Sequence, residues 1–179
     1  MLVKILNAGS GGQGVLTLGN ILGNAAMIAD YQVTYLPEYG AAMRGGTANC
    51  TICISDQVIA SPIASAPDIL LAMNHPSVVK FISRLLPGGQ MIYNSSLVET
   101  VPVRGDLDIY SVAANEVATE LGNGRSANMV ALGTLIAHLQ FLSMETVLES
   151  IDMLLGSKKK LVEISKIALQ AGFDNYSAK

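Results

Sequence analysis

A strand, a glycine turn and a helix open the chain, and this start constrains the fold more than any other feature. The apolar run from Leu2 to Ala8 is typical of a buried first strand, and helical periodicity extends from Val15 to Ile28. Between them, Gly9, Gly11 and Gly14 fit the pattern G-x-G-x-x-G, with Gly12 as a further glycine. Backbone N–H groups at a helix N-terminus can face a phosphate there, so the turn predicts an anion site.

The next segments continue the alternation of strands and helices. Gln32 to Leu36 has strand composition and completes a βαβ unit, so we expect it to pair in parallel with the first strand. Thr47 to Ser55 alternates polar and apolar residues, which predicts a half-buried strand. We expect this strand to turn back at Asp56 into a hairpin partner at Val58 to Ala60, which makes the sheet mixed.

The remaining segments complete an α/β pattern. We therefore expect one domain over residues 1–179, with three α/β/α layers, a mixed, mostly parallel sheet and a helical C-terminal third. Further strands are expected at 68–73, 90–94 and 107–112. Helices are expected at 76–86 after an Asn74 cap, at 114–121, at 128–142 as a buried helix, from a Ser143 cap to 155, and from a Ser157 cap to Gly172.

The composition favours a protein that buries surface against partners. Half of the residues are hydrophobic and only 14% are charged, whereas soluble domains carry about 25% charged residues. The apolar runs are too short to span a bilayer. We expect protein–protein interface and self-association of the isolated chain, and the alternative is a compact fold with a large core.

The charge of the chain excludes a nucleic-acid binder. The formal net charge is −3, and nucleic-acid binding requires clustered Lys and Arg. The one basic run, Lys158-Lys159-Lys160, reads as a solvated helix face. Lys4 and Asn7 interrupt any signal-like apolar core at the N-terminus, so we expect a cytoplasmic protein without a membrane association.

The glycine pattern leaves several ligands open. A site for NAD or FAD requires an acidic residue at the end of the second strand, but Tyr35 and Leu36 stand there, and Glu38 comes late. The alternatives are another phosphate ligand or a tight turn used only for packing.

Two cysteines form the pattern C-x-x-C within a predicted strand. Cys50 and Cys53 lie three residues apart, so their side chains point to opposite faces. A redox pair needs a helix N-terminus. With His75 and His138 on distant segments, the residues do not assemble a zinc or iron–sulfur site. We expect two structural cysteines and no metal site.

Few other side chains are candidates for chemistry. His75 follows a strand end, where α/β proteins place ligand contacts, although a histidine at a helix start is more often only partly exposed. His138 lies on the predicted buried helix as a satisfied core residue. Arg44 lies beside Gly45 and Gly46. Its guanidinium group either binds a phosphate or a carboxylate through two hydrogen bonds, or stabilises its own loop by donating to backbone carbonyls. No catalytic set stands out.

Five stretches of the sequence are distinctive: Gly9 to Val15, Leu36 to Cys50, Ser61-Pro62, Ala72-Met73-Asn74 and Asn128 to Gly133. Together they resemble the gamma subunit of 2-oxoacid:ferredoxin oxidoreductases. The resemblance runs in order over nearly the whole chain. Its most specific part, Met-Arg-Gly-Gly-Thr-Ala-Asn, is more similar to subunits of the 2-oxoglutarate and branched-chain 2-oxoacid enzymes than to the pyruvate type.

The resemblance also shows departures. Ala41 and Ala42 stand where the family usually has proline and glutamate, and His75 stands where glutamine is common. The resemblance implies coenzyme A-dependent oxidative decarboxylation of a 2-oxoacid to acyl-CoA and carbon dioxide, with ferredoxin as electron acceptor. Thiamine diphosphate then lies between alpha and beta subunits, iron–sulfur clusters lie elsewhere in the complex, and the gamma chain is an accessory.

For this chain the resemblance implies a specific surface. The turn with Gly9, Gly11, Gly12 and Gly14, together with Arg44, would face coenzyme A or a partner subunit. Two rival hypotheses remain at this stage. One is an independent flavin or nicotinamide reductase that uses the glycine turn, and the other is an interaction module without a ligand.

Overall fold

The computed structural model describes residues 1–39, 46–63 and 65–177. The strands are β1 (Leu2–Ser10), β2 (Gln32–Tyr39), β3 (Thr47–Ser55), β4 (Ile69–Ala72), β5 (Gln90–Asn94) and β6 (Asp108–Val112). The helices are α1 (Val15–Ile28), α2 (His75–Phe81), α3 (Ala114–Glu120), α4 (Ala127–Leu139), α5 (Met144–Leu155) and α6 (Lys159–Ser177). Among these described helices, none combines the length and the apolar character needed to cross a bilayer.

The strands form one mixed sheet in the order β2-β3-β1-β4-β5-β6. Strands β1, β4, β5 and β6 pair in parallel, whereas β3 is antiparallel to both β1 and β2. The predicted class, a three-layer fold with a mixed, mostly parallel sheet, is confirmed. The predicted parallel pairing of β1 with β2 is wrong, because β3 lies between them: Cys50 is opposite Asn7 on one side and Pro37 on the other.

Strand β3 is more central than its pattern of alternation indicates. Residues 49–55 are all buried, because neighbours occupy both edges of the strand and side chains cover both of its faces. The prediction of a half-buried strand is therefore wrong. The hairpin partner at 58–60 does not form either, and Val58 is 88% exposed. With both edges of β3 already paired, no edge remains for that segment to join.

Helices cover the two faces of the sheet unequally. The larger apolar cluster joins one face to α1, α3, α4, α5 and α6. The smaller cluster joins the other face to α2 and to the 3₁₀ turn that follows it, through Val78, Phe81 and Leu85. Asn74 and Ser143 cap α2 and α5 as predicted, by accepting from the N–H groups of Ser77 and Thr146.

Helices α4 and α6 meet backbone against backbone. A Cβ atom on Gly133 would overlap the Leu169 carbonyl, and one on Gly172 would overlap the Val130 carbonyl. The close approach expected of the small residues in α4 is thus confirmed at Gly133. The predicted end of α6 at Gly172 is wrong, because this glycine serves helix packing and the helix continues to Ser177. The helix also begins at Lys159, too late for a cap at Ser157.

Candidate functional site: the glycine turn and the strand ends around it

The glycine turn is shorter than the sequence indicates, because β1 continues through Gly9 and Ser10. The Gln13 N–H donates to the Ser10 carbonyl at 3.1 Å and closes a β-turn. Gly12 has φ +92° and Gly14, at the start of α1, has φ +70°. Glycine adopts these left-handed conformations without steric cost. The predicted order of strand, glycine turn and helix is therefore confirmed.

Besides the Gln13 N–H, two more backbone N–H groups around this turn are already used inside the chain. Ser10 N–H donates to the side-chain oxygen of Gln13 at 2.7 Å, and Gly11 N–H donates to the carbonyl of Gly46 at 3.1 Å. No side chain caps α1, so the first-turn N–H groups from Val15 onward lack that partner. The anion-binding capacity of the turn therefore lies at the start of α1.

Two of the glycines are required by packing. A Cβ atom on Gly9 would lie 2.6 Å from Val15 Cγ2, and one on Gly14 would overlap the Asn128 side chain. The Asn128 amide donates to the Gly14 carbonyl at 3.1 Å. A Cβ atom on Gly12, in contrast, would meet nothing within 4 Å. Gly12 therefore marks the open side of the turn.

Amide side chains link the carboxyl ends of three parallel strands. The Asn74 amide donates to Ser10 Oγ at 2.8 Å and to Gln13 Oε1 at 2.7 Å, while Gln13 Nε2 reaches the Met73 carbonyl at 3.4 Å. Asn94, the fully buried last residue of β5, donates to the same Met73 carbonyl at 3.2 Å. We call Gln13, Asn74 and Asn94 the amide network; it holds the glycine turn against β4 and β5.

The sequence alone indicates no site role for Gln13, Asn94 or Asn128, and it predicts Asn74 only as a helix cap. A usable signal exists for Asn74 and Asn94, because Asn74 closely follows β4 and Asn94 ends β5, and parallel strands present their carboxyl ends at one edge of the sheet. Asn128 has no such signal, since its contact with Gly14 is made across 114 residues.

The topology does not fit a dinucleotide site. In that fingerprint the second strand lies beside the first, so its acidic end residue reaches the ribose. Here β3 separates β2 from β1. Glu38, the late acidic candidate, accepts a hydrogen bond from the Asn49 amide instead. The chain therefore forms the glycine turn of a dinucleotide site, but Glu38 is not placed to bind the ribose.

Both cysteines are buried free thiols, as expected of structural residues. Burial raises the pKa of Cys50 to about 11, so its thiol stays protonated and is a poor nucleophile at neutral pH. Its sulfur contacts the Val15 carbonyl, and Gly19 leaves the space for it. The Cys53 sulfur contacts the Pro62 carbonyl on the other face of β3.

The histidines lie apart from each other. His75 is half-buried at the start of α2. His138 uses both ring nitrogens, with Gln90 Oε1 and Tyr176 Oη each at 2.8 Å. The prediction of a satisfied histidine is confirmed, but the prediction of a core residue is wrong, because the side chain is only partly buried. Burial lowers its pKa below the ordinary histidine value.

The remaining candidates are placed as follows. Arg44 lies outside the described residues, as do Ala41 and Ala42. Lys158, Lys159 and Lys160 are exposed, as predicted, and line a cleft together with Arg125. Within the described residues, no group of three or more His, Cys, Asp or Glu side chains is arranged to hold a metal ion.

Comparison with known proteins decides the family. The profile described as pyruvate ferredoxin/flavodoxin oxidoreductase matches residues 4–175. The chain belongs to this family. It is 31% identical over 181 residues to the 2-oxoglutarate synthase subunit KorC of Methanothermobacter marburgensis, covering 96% of this chain and 95% of KorC. It is 35% identical over 173 residues to the ketoisovalerate oxidoreductase subunit VorA of the same organism, covering 96% of this chain.

The relatives differ in length. The chain spans only 36% of VorA, about a third of that protein. The gamma subunit of a keto/oxoacid ferredoxin oxidoreductase from Geobacter sulfurreducens matches with TM-score 0.85 and 29% identity, over 99% of both chains. The 2-oxoglutarate:ferredoxin oxidoreductase of Magnetococcus marinus matches with TM-score 0.90 and 24% identity, over 99% of this chain and 31% of that one. The predicted resemblance to gamma subunits of this family is confirmed.

Proposed function

We propose that this chain is the accessory gamma subunit of a 2-oxoacid:ferredoxin oxidoreductase. The complex would convert a 2-oxoacid and coenzyme A to acyl-CoA and carbon dioxide and pass the electrons to ferredoxin. The observation that carries the proposal is the match to KorC along nearly the full length of both chains. Because the names of the relatives specify ketoisovalerate and 2-oxoglutarate, we propose a branched-chain 2-oxoacid or 2-oxoglutarate as substrate.

The donor set of the chain supports an accessory role. Iron–sulfur clusters need several thiolates, whereas Cys50 and Cys53 contact different partners on opposite faces of β3, and the Cys50 thiol is protonated. These residues do not fit a cluster. We therefore assign the clusters and thiamine diphosphate, which would supply the decarboxylation chemistry, to alpha, beta and ferredoxin-like partner subunits. Free thiols also fit a cytoplasmic complex.

The surface of this chain that faces coenzyme A or a partner is proposed to be the glycine turn with Arg44. The open side at Gly12 and the uncapped start of α1 support this assignment. Gly9 and Gly14 contribute indirectly, because their missing side chains let Val15 and Asn128 pack beside the turn. The amide network would hold the turn rigid when a phosphate approaches.

The experiment is anaerobic purification of a tagged copy from its native host, followed by an assay of viologen reduction. We expect partner subunits that bind thiamine diphosphate and iron–sulfur clusters to co-purify, and reduction to require coenzyme A and one 2-oxoacid. A chain that purifies alone and is inert with every 2-oxoacid would contradict the proposal. In the active complex, Gly12→Val should raise the KM for coenzyme A, whereas Gly88→Val, at a glycine that is also open and left-handed (φ +75°), should not.

A further inference from the structure

A cavity lies at the outer edge of β6, the last strand of the sheet. It encloses about 570 Å³, a volume within the range of small-molecule sites. Its walls come from β6, α3, α4 and the last turn of α6, and they are formed by Ile109 to Ala113, Val117, Thr134, Asn175 and Tyr176. None of these residues belongs to the glycine turn or to the amide network. We call this space the edge cavity.

The backbone of β6 forms part of the wall. Five consecutive residues line the edge cavity, whereas successive side chains of a strand point to opposite faces. Asp108 N–H donates to the Gly89 carbonyl at 3.1 Å at one end of the strand. At the other end, the Val112 carbonyl accepts from Ser95 N–H at 2.9 Å. In a parallel ladder alternate residues bond to the neighbouring strand, so Ile109 directs its N–H and carbonyl away from β5, toward the outer edge.

The edge cavity is neutral. Among the described residues, its wall carries no charged side chain and combines two tyrosines and three neutral polar residues with the apolar Ile109, Val112, Ala113 and Val117. A carboxylate or phosphate would find no cation in this wall, and removing an ionised group from water without a partner is unfavourable. Asp108 adjoins the wall, and its negative charge would repel an anion further. The wall therefore favours a neutral ligand.

Contacts within the chain hold the wall in place. Tyr110 and Tyr176 both pack against the His138 ring, at centroid distances of 4.8 and 5.6 Å. His138 also bonds to Tyr176 Oη at 2.8 Å, and Thr134 Oγ1 donates to the Gly172 carbonyl at 3.0 Å. Helices α4 and α6 are thus fixed to each other and to β6 around the edge cavity. Binding in a preformed cavity costs less than binding that must first order its walls.

The aromatic wall and its polar groups define the ligand further. Tyrosine rings bind flat aromatic rings through stacked or edge-to-face contacts. Tyr176 Oη is already bonded to His138, whereas Tyr110 Oη has no hydrogen-bond partner within the described residues. A hydroxyl or N–H group on a ligand can pair with this phenol or with the peptide groups of Ile109. These groups fit a flat neutral molecule that carries one polar substituent.

We propose that the edge cavity binds a small neutral aromatic compound with a hydroxyl or N–H substituent. The rings would lie against Tyr110, Tyr176 and the apolar side chains, and the substituent would bind at the outer edge of β6. This inference does not rest on the proposed function, because none of its residues forms the surface assigned to coenzyme A or a partner. Coenzyme A and 2-oxoacids are anionic and should not bind in the edge cavity.

The test is calorimetric titration of the purified full-length chain at neutral pH with 2-naphthol and with 2-naphthoate. Both probes have the same two fused rings, but only 2-naphthoate is charged at this pH. We expect 2-naphthol to bind with a Kd below about 1 mM. We expect 2-naphthoate to bind about tenfold more weakly or worse, because its carboxylate has no cation in the wall. An excess of coenzyme A should not displace 2-naphthol.

Two matched variants locate the site. Val117→Phe places a larger side chain in the edge cavity and should weaken the binding of 2-naphthol about tenfold or more. Val103→Phe makes the same change at a residue that is 98% exposed and lies outside the cavity, so it should leave the binding unchanged. Circular dichroism checks that each variant is folded.

A charge substitution gives a second readout that does not depend on Val117→Phe being folded. Ile109→Lys introduces a cation at a residue that is already 39% exposed, so the fold should tolerate the change. The preference should then reverse, with 2-naphthoate binding more tightly than 2-naphthol. Leu2→Lys adds the same charge at an exposed strand residue outside the cavity and should keep the preference of the wild type.

Three outcomes would overturn the assignment: no binding of 2-naphthol, equal binding of 2-naphthol and 2-naphthoate to the wild type, or equal losses with Val117→Phe and Val103→Phe. If 2-naphthol does not bind and sedimentation shows a dimer that Ile109→Lys dissociates, a second copy of the chain covers the edge cavity instead. Because the chain is titrated alone, these results are independent of the co-purification, which decides the proposed function.

Discussion

Five helices share the apolar cluster on one face of the sheet, whereas the seven-residue helix α2 and a single 3₁₀ turn pack against the other face in the described part of the chain. On the helical face, α4 and α6 meet through glycines so closely that their backbones touch. On the other face, α2 is joined through Asn74 to the glycine turn. The comparison indicates that the helical face supplies most of the stability, and that α2 mainly positions the site.

Gly172→Ala should have the largest effect, on the helical face. A Cβ atom there would overlap the Val130 carbonyl, so α4 and α6 must separate. We expect the free energy of unfolding to fall by about 3 kcal/mol or more, measured by chemical denaturation. The control is Gly23→Ala in α1, where the nearest atom is 3.5 Å away; it should stabilise the helix by about 0.5–1 kcal/mol. Equal effects of the two substitutions would refute the backbone contact.

Asn74→Ala should have a smaller effect, on the α2 side. It removes the cap of α2 and also the two donated bonds to Ser10 and Gln13, so we expect a loss of about 2 kcal/mol. Asn74→Ser keeps an oxygen that can cap the helix but lacks the amide donors, and it should lose about 1 kcal/mol. If the two variants are equally stable, the cap contributes nothing to folding; if Asn74→Ser is as stable as the wild type, the bonds to the turn contribute nothing.

The smallest effect is a pH dependence at His138, at the edge of the helical face. Burial lowers the pKa of this histidine in the folded chain, while nearby Asp108 opposes the shift. The unfolded chain therefore takes up a proton first as pH falls below about 6.5, and the stability should decrease there. Gln90, Tyr110 and Tyr176 are the other groups packed against the ring.

The measurement compares the wild type with His138→Gln at pH 7.5 and pH 5.5. The variant should lose less stability between these two pH values, because its side chain does not titrate. An identical loss in both proteins would assign the pH dependence to other groups.

Much of the framework was predictable from local patterns. The first strand and turn, the caps at Asn74 and Ser143, and the buried helix around Gly133 all follow from spacing, turn chemistry and periodicity, which depend on neighbouring residues. The errors concern pairing. The alternation of polar and apolar residues in β3 predicts one exposed face. In the structure, neighbouring strands pair with both edges of β3, and residues 49–55 are all buried.

The site was only partly predictable for the same reason. The glycines that form the turn are visible in the sequence, but the partners that occupy Ser10 N–H and Gly11 N–H come from the Gln13 side chain and from the distant Gly46 carbonyl. Lys158 to Lys160 read as a solvated helix face until Arg125 is placed beside them.

By itself the sequence determined the fold class, the position of the glycine turn and the resemblance to the oxidoreductase gamma subunits, since each depends on residues that are close along the chain. Only the tertiary structure decided that β3 separates β1 from β2, that Gly172 is a packing contact rather than a helix end, and that four cations share one cleft. The physical reason is that pairing order, backbone contact and charge clustering arise between segments far apart in sequence, where local propensity carries no information.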